Sequence, residues 1–153
     1  MAVKVLIIII TVIIIGSLIS FFILGRKRKA AQKIISFDLM QSISMNGLEI
    51  PILESFSGPK GLAPLAFGSN NLNPELVLYD DHFEYKTLFR KGAYYSDIES
   101  IRSYRSRYYN KLRFTFSNRL AYYTAVFGNA ETMQTVLKFL EAKGIRTDEH
   151  SRM

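Results

Sequence analysis

The N-terminal part of the chain is an apolar run. Residues 5–24 are almost all aliphatic or aromatic, and a basic cluster follows directly. Twenty residues at about 1.5 Å of helical rise span roughly 30 Å, which is the thickness of the hydrocarbon core of a bilayer. The pattern therefore predicts a single transmembrane α-helix within residues 1–25.

A secretory signal peptide and a buried core helix are the two alternatives for this run. A signal peptide has an apolar region of roughly 7–15 residues before a cleavage site of small residues. Here the run is longer, and basic residues stand where the cleavage site would be. A core helix of a small domain is apolar on one face, whereas this run is apolar on all faces. A membrane span is the better interpretation.

Small residues interrupt the apolar run at helical spacing. Gly16, Ser17 and Ser20 lie at positions i, i+1 and i+4. Small residues let two membrane helices approach closely. These small residues predict a helix face that packs against a larger membrane subunit.

Basic residues after the run predict its orientation, because basic flanks stay on the cytoplasmic side of a membrane. We expect an inner-membrane, single-pass protein with its N-terminus outside and its C-terminal domain cytoplasmic. A cation beside anionic lipid gains roughly 1 kcal/mol, so membrane lipid is an expected partner. This predicted basic belt consists of Arg26, Lys27, Arg28, Lys29 and Lys33.

After Glu75 the pattern of apolar and polar residues has a period of two, which is typical of half-buried strands. Short strands that follow one another through tight turns form an antiparallel sheet. A turn is predicted at residues 80–82, another at residues 90–92, and a bulge at residues 97–98. Strands are predicted at residues 76–79, 83–87, 93–103, 112–116 and 120–127.

One amphipathic helix follows the strands. Asn129 is a suitable N-cap, because its side-chain oxygen can accept an amide hydrogen bond of the first turn. Gly144 is the expected stop. The apolar face of this helix, which must cover part of the sheet, consists of Met133, Val136, Leu137 and Leu140.

The domain organisation follows from these elements. We expect an N-terminal helix (1–25), a basic juxtamembrane segment and linker (26–61), a folded domain (62–146) and a polar tail (147–153). The Gly and Pro residues between positions 47 and 64 are too dense for a continuous helix, although short strands at 48–53 and 62–67 are compatible with them.

The strand and helix segments resemble bacterial pleckstrin-homology-like (PH-like) domains. The resemblance lies in residues 76–83 (LVLYDDHF), 95–101 (YSDIESI) and the helix from Asn129, and it covers about residues 62–144. It implies an α+β, mainly-β domain, a curled antiparallel barrel capped by a C-terminal amphipathic helix. The loop at residues 68–74 has no Lys or Arg, unlike the basic first hairpin of phosphoinositide-binding members.

Charge and motifs narrow the function classes. The chain carries +7, but setting aside Lys4 and the basic belt leaves +1 for residues 34–153, so nucleic acid is not an expected partner. His82 and His150 have no cysteine nearby, and no metalloprotease, P-loop or nucleophile-elbow motif occurs. We expect no enzyme activity, cofactor or metal.

A segment rich in Arg and Tyr is the best candidate site. Exposed Arg and Tyr anchor protein interfaces and bind anionic groups. A solvated hairpin tip with its tyrosines folded back is the alternative. The sequence therefore predicts a non-enzymatic binding or accessory subunit that docks a membrane protein complex or a second copy of itself, with anionic-lipid binding as the second hypothesis. The predicted partner-binding residues are Tyr104, Arg105, Arg107, Tyr108 and Tyr109.

Overall fold

The computed structural model describes residues 10–17, 25, 34–36, 38, 43, 46–62 and 68–151, which are mainly β-structure. A 3₁₀ turn occupies Tyr95–Asp97, and the C-terminal helix occupies Ala130–Ala142. The strands within the described ranges are β1 (Leu48–Glu49), β2 (Glu54–Pro59), β3 (Gly68–Asn70), β4 (Glu75–Leu78), β5 (His82–Lys86), β6 (Arg90–Tyr94), β7 (Ile98–Arg105), β8 (Asn110–Phe116), β9 (Ala121–Phe127) and β10 (Thr147–Ser151).

The smaller sheet has the order β1-β4-β5-β6 with antiparallel neighbours. The turn predicted at residues 80–82 is confirmed, since the Tyr79 amide donates to the His82 carbonyl at 2.9 Å. The turn predicted at residues 90–92 is wrong, because these residues belong to β6. The bend lies at residues 87–89 instead.

The larger sheet has the order β10-β7-β8-β9-β2-β3. All of its neighbours are antiparallel except β10, which runs parallel to β7. The β7–β8 register shifts between Ile98 and Ser100, one residue beyond the predicted bulge.

The core contains an aromatic cluster contributed by both sheets. The ring of Phe83, from the smaller sheet, lies 5.3 Å from Phe114 and 6.2 Å from Phe116 of the larger sheet. Tyr85 and Tyr123 make a second such contact at 4.2 Å between ring centroids. These rings alternate with outward polar residues on their strands, as the period-two pattern predicted.

The C-terminal helix is confirmed with its predicted ends. The Asn129 side chain accepts from the Glu131 amide at 2.7 Å, and Gly144 has a left-handed φ of 81° after the last turn. The predicted apolar face is buried in the core. The ring of Phe139 on the same helix also meets Tyr95 edge-on at 6.0 Å.

In the part of the chain that the structure describes, no helix is both long and apolar enough to cross a membrane. The transmembrane helix predicted for residues 1–25 is therefore wrong. Near the N-terminus the described helical residues are 10–17 and Gly25. An apolar composition permits a membrane span but does not by itself establish one.

The predicted localisation depended on that helix and is wrong with it, including the single-pass arrangement with the N-terminus outside. Gly16 and Ser17 are helical and exposed, and a Cβ added at Gly16 would meet nothing within 4 Å. Ser20 and the basic belt of Arg26, Lys27, Arg28, Lys29 and Lys33 lie outside the described residues.

The predicted curled barrel is also wrong, because no strand pair among residues 46–62 and 68–151 joins the two sheets. The 3₁₀ turn Tyr95–Asp97 carries the chain from β6 to β7 without pairing them. A sheet closes into a barrel only through such pairing. The described residues instead form two separate sheets with a core between them.

Segments expected to be linker and tail contribute strands. β1 and β2 lie within residues 26–61, and β2 pairs with β9 over six residues. Ile35, from the same segment, is buried in the core. The predicted strand at residues 62–67 lies largely outside the described residues.

Candidate interaction face

The outer face of the larger sheet carries alternating cations and aromatic rings. Strand alternation places Leu112 and Phe114 of β8 in the core, so Lys111 and Arg113 point to the opposite face. The strand register then fixes which residues lie beside them. We name this surface the cation–aromatic face, and it consists of Phe56, Arg102, Tyr104, Lys111, Arg113 and Tyr122.

Arg113 lies between two tyrosine rings. Its guanidinium carbon is 5.1 Å from the centroid of Tyr104 and 4.6 Å from that of Tyr122. Such contacts contribute about 0.5–1 kcal/mol each at exposed sites. A cation–π contact does not itself consume an N–H donor of the guanidinium. The rings therefore hold Arg113 in place without using its hydrogen-bond donors.

Lys111 forms a similar group beside it. Its ammonium lies 4.3 Å from the ring centroid of Tyr109 and 5.5 Å from that of Phe56. Because Phe56 belongs to β2, this group joins strands distant in sequence. The two groups make one continuous row of rings and cations across four strands.

Two cations of this face stand directly opposite each other. Arg102 on β7 pairs in register with Arg113 on β8. Like charges in such a cross-strand pair are destabilising. The nearest described carboxylate is Asp148 of β10, whose oxygen lies 3.9 Å from the Arg102 Nε. This part of the surface therefore favours an anionic group.

Polar atoms beneath the face lack partners. Among the described residues, the Arg113 Nε and the Thr124 Oγ1 are buried and make no hydrogen bond. The two residues are cross-strand neighbours. A buried polar atom without a partner is unfavourable by about 1–3 kcal/mol, so these two atoms do not help to stabilise the fold.

The sequence-predicted site residues lie at the edge of this face. Tyr104 and Tyr109 fold back on the sheet, where their rings meet Arg113 and Lys111. Arg105, Arg107 and Tyr108 are exposed at the β7–β8 hairpin tip (residues 105–109), Tyr108 with 86% of its surface accessible. The predicted residues thus divide between a packed face and an exposed tip.

A serine shapes the hairpin tip. The Ser106 side chain accepts from the amides of Tyr108 and Tyr109, both at 3.2 Å, and the Ser106 amide donates to the Tyr109 carbonyl at 2.9 Å. Such local side-chain bonds are typical of tight turns. They hold Tyr108 away from the sheet.

Sequence reasoning missed Phe56 and Tyr122 as members of the surface. Tyr122 belongs to a strand that is buried on both faces, so its alternation gave no signal. Phe56 lies in the segment predicted to be linker (26–61). The position of Arg113 could have been found, because it alternates with core residues on β8.

The turn containing Asp80, Asp81 and His82 is not a second site of this kind. The Asp80 carboxylate accepts from Lys143 at 2.6 Å, and the Asp81 carboxylate lies 2.6 Å from the His82 Nδ1. The hydrogen bond to His82 lowers the pKa of Asp81. Across the described ranges no three His, Cys, Asp or Glu side chains come together as a metal site. The turn residues have partners within the protein.

No protein-family model matches the chain, and no curated protein matches it either. The resemblance to PH-like domains therefore stays a prediction.

Proposed function

We propose that this chain is a non-enzymatic binding module that docks a protein partner through its cation–aromatic face and the neighbouring hairpin tip. The predicted partner is either a membrane protein complex or a second copy of the chain. The cations of this surface would be complemented by carboxylate groups on that partner.

The observation that supports the proposal is the opposed pair Arg102 and Arg113 on a surface lined by aromatic rings. An opposed pair of cations is a poor choice for stability alone. Arg and Tyr are also the residue types that contribute most to protein interfaces, because they bury a large area and still form directional hydrogen bonds. The arrangement is better explained by binding than by folding.

Preorganisation strengthens the argument. Rings on both sides of Arg113 restrict the rotamers of its long side chain before any partner arrives. Ordering a rotamer-rich side chain on binding is unfavourable by about 0.5–1.5 kcal/mol, and here much of that ordering is already present. The exposed ring of Tyr108 adds an apolar surface at the rim.

The proposal is tested by site-specific photocross-linking of the full chain in cells that express it. A photoreactive phenylalanine replaces Tyr108, and a matched control replaces Tyr94, which is also exposed (60%) but lies on the smaller sheet. We expect one defined protein adduct at position 108 that is absent at position 94. The adduct should be lost with the substitutions Arg105→Glu and Arg107→Glu, because these reverse the local charge.

Two results would contradict the proposal. The first is the same set of adducts at both positions, and the second is an adduct at position 108 that persists after charge reversal. Lipid is distinguished by flotation of the same variants with phosphatidylserine vesicles, since salt-sensitive vesicle binding without a protein adduct favours the lipid hypothesis.

A further inference from the structure

The edge of β7 is occupied by a short segment of the chain itself. β10 pairs with β7 in parallel, with Thr147 opposite Ile101 and Ser151 opposite Arg105. It is the one parallel pair among the described strands. Without β10, the β7 edge would present unpaired backbone groups beside the cation–aromatic face.

The first residues of this segment are well anchored. The Ile145 amide donates to the Leu140 carbonyl at 3.2 Å, and Ile145 packs against the core. The Thr147 hydroxyl donates to the Glu141 carboxylate at 2.7 Å. These contacts fix where β10 begins.

The described ion pairs of β10 beyond Thr147 are weak. The Asp148 carboxylate lies 3.9 Å from the Arg102 Nε and 3.7 Å from the Arg146 Nε, and the Arg146 side chain is 82% exposed. Exposed ion pairs at such distances contribute about 0–1 kcal/mol. The other described interaction of this part of β10 is backbone pairing with β7. Segments held at a sheet edge can open locally at low free energy.

Cations outnumber the described carboxylates at this edge. Arg102, Arg105 and Arg113 lie on or beside β7, and the one carboxylate described within 4 Å of them belongs to Asp148. Arg105 ends the strand at the exposed hairpin tip. An extended segment with more carboxylates would complement this edge better than β10 does.

We propose that the β7 edge is a docking site for an extended acidic peptide segment of the partner, which pairs in parallel with β7 and displaces β10. This proposal rests on the proposed function and specifies how the partner is recognised. Addition of a strand supplies affinity through backbone hydrogen bonds, and alternate side chains supply specificity. The register places the selective positions opposite Arg102 and Tyr104, two residues apart on the outer face.

The test uses a synthetic peptide with the sequence of residues 145–153 and two variants of it. One carries Glu at the position of His150, opposite Tyr104, and the other carries Lys at the position of Asp148. Binding is measured by fluorescence anisotropy with the full chain and with a variant that lacks residues 147–153. Circular dichroism checks that the shortened variant is folded.

We expect the shortened variant to bind the peptide at least about tenfold more tightly than the full chain, a difference of about 1.4 kcal/mol. The Glu peptide should bind more tightly than the parent peptide, and the Lys peptide more weakly. Equal affinity of the two proteins, or no dependence on peptide charge, would overturn the proposal.

A second measurement applies if the shortened variant does not fold. In the full chain, the amide hydrogens of β10 should exchange faster than those of β8, and Asp148→Lys should increase binding of the Glu peptide. Slower exchange in β10 than in β8, or no gain in binding, overturns the proposal. The cross-link at position 108 distinguishes the two proposals. If the adduct persists in the presence of saturating Glu peptide, docking at the β7 edge is contradicted, whereas the proposed binding function is not.

Discussion

Two neighbouring tyrosines should respond with opposite signs to the same chemical change. The rings of Tyr85 and Tyr123 lie 4.2 Å apart in the core, with 4% and 0% of their surfaces exposed. The Tyr85 hydroxyl accepts from the Arg119 Nη1 at 2.8 Å. The Tyr123 hydroxyl is buried and has no partner among the described residues. Burial raises the pKa of Tyr123, so this hydroxyl stays protonated at neutral pH.

The magnitudes follow from these two environments. An unsatisfied buried hydroxyl is unfavourable by about 1–3 kcal/mol, so Tyr123→Phe should raise the free energy of unfolding by about 1 kcal/mol. Tyr85→Phe removes a hydrogen bond to a charged group and should lower it by about 1 kcal/mol, because Arg119 is half-buried and can regain water. The Arg119 Nη2 keeps its bond to the Gly92 carbonyl in both variants.

The assay is urea unfolding of the two variants and the wild type, with thermal unfolding in parallel. For a chain of this size, about 1 kcal/mol corresponds to a shift of about 2–4 °C in Tm, so the two variants should differ by roughly twice that. A destabilised Tyr123→Phe variant would refute the reasoning, since it would mean that the hydroxyl has a partner.

Two further predictions concern a turn glycine and a half-buried carboxylate. Gly47 has a φ of 71°, and an added Cβ would lie 2.6 Å from the Tyr79 ring, so Gly47→Ala should lower the free energy of unfolding by more than about 1 kcal/mol. The control is Gly61→Ala, where φ is 84° but nothing lies within 4 Å; equal losses in chemical denaturation would contradict the steric argument. For Glu75, burial alone would raise the pKa, but hydrogen bonds from two basic side chains outweigh it and lower the pKa below 4.5. A carboxyl pKa that is lower in the folded state stabilises the fold above about pH 4.5, and this contribution is lost as the pH falls through the pKa of the folded state. The Tm of the wild type should therefore exceed that of Glu75→Gln at pH 7, and the difference should shrink below pH 4.5. A margin independent of pH would contradict this.

Local chemistry is what the sequence determined by itself. The C-terminal helix was predictable because its cap, its apolar face and its terminal glycine all act within a few turns. The strands around Phe83 and Phe114 were predictable because period-two alternation reflects one buried face. The residues of the hairpin tip were predictable for a different reason, because Arg and Tyr are concentrated together in one short segment.

The tertiary structure alone decided which distant strands are neighbours. Phe56 joins the cation–aromatic face only because β2 pairs with β9, and Arg102 meets Arg113 only through the β7–β8 register. Hydropathy gave the apolar character of the N-terminal run, but the membrane span predicted from it is wrong. Pairing partners and register depend on contacts between residues far apart in the chain, and no local pattern encodes them.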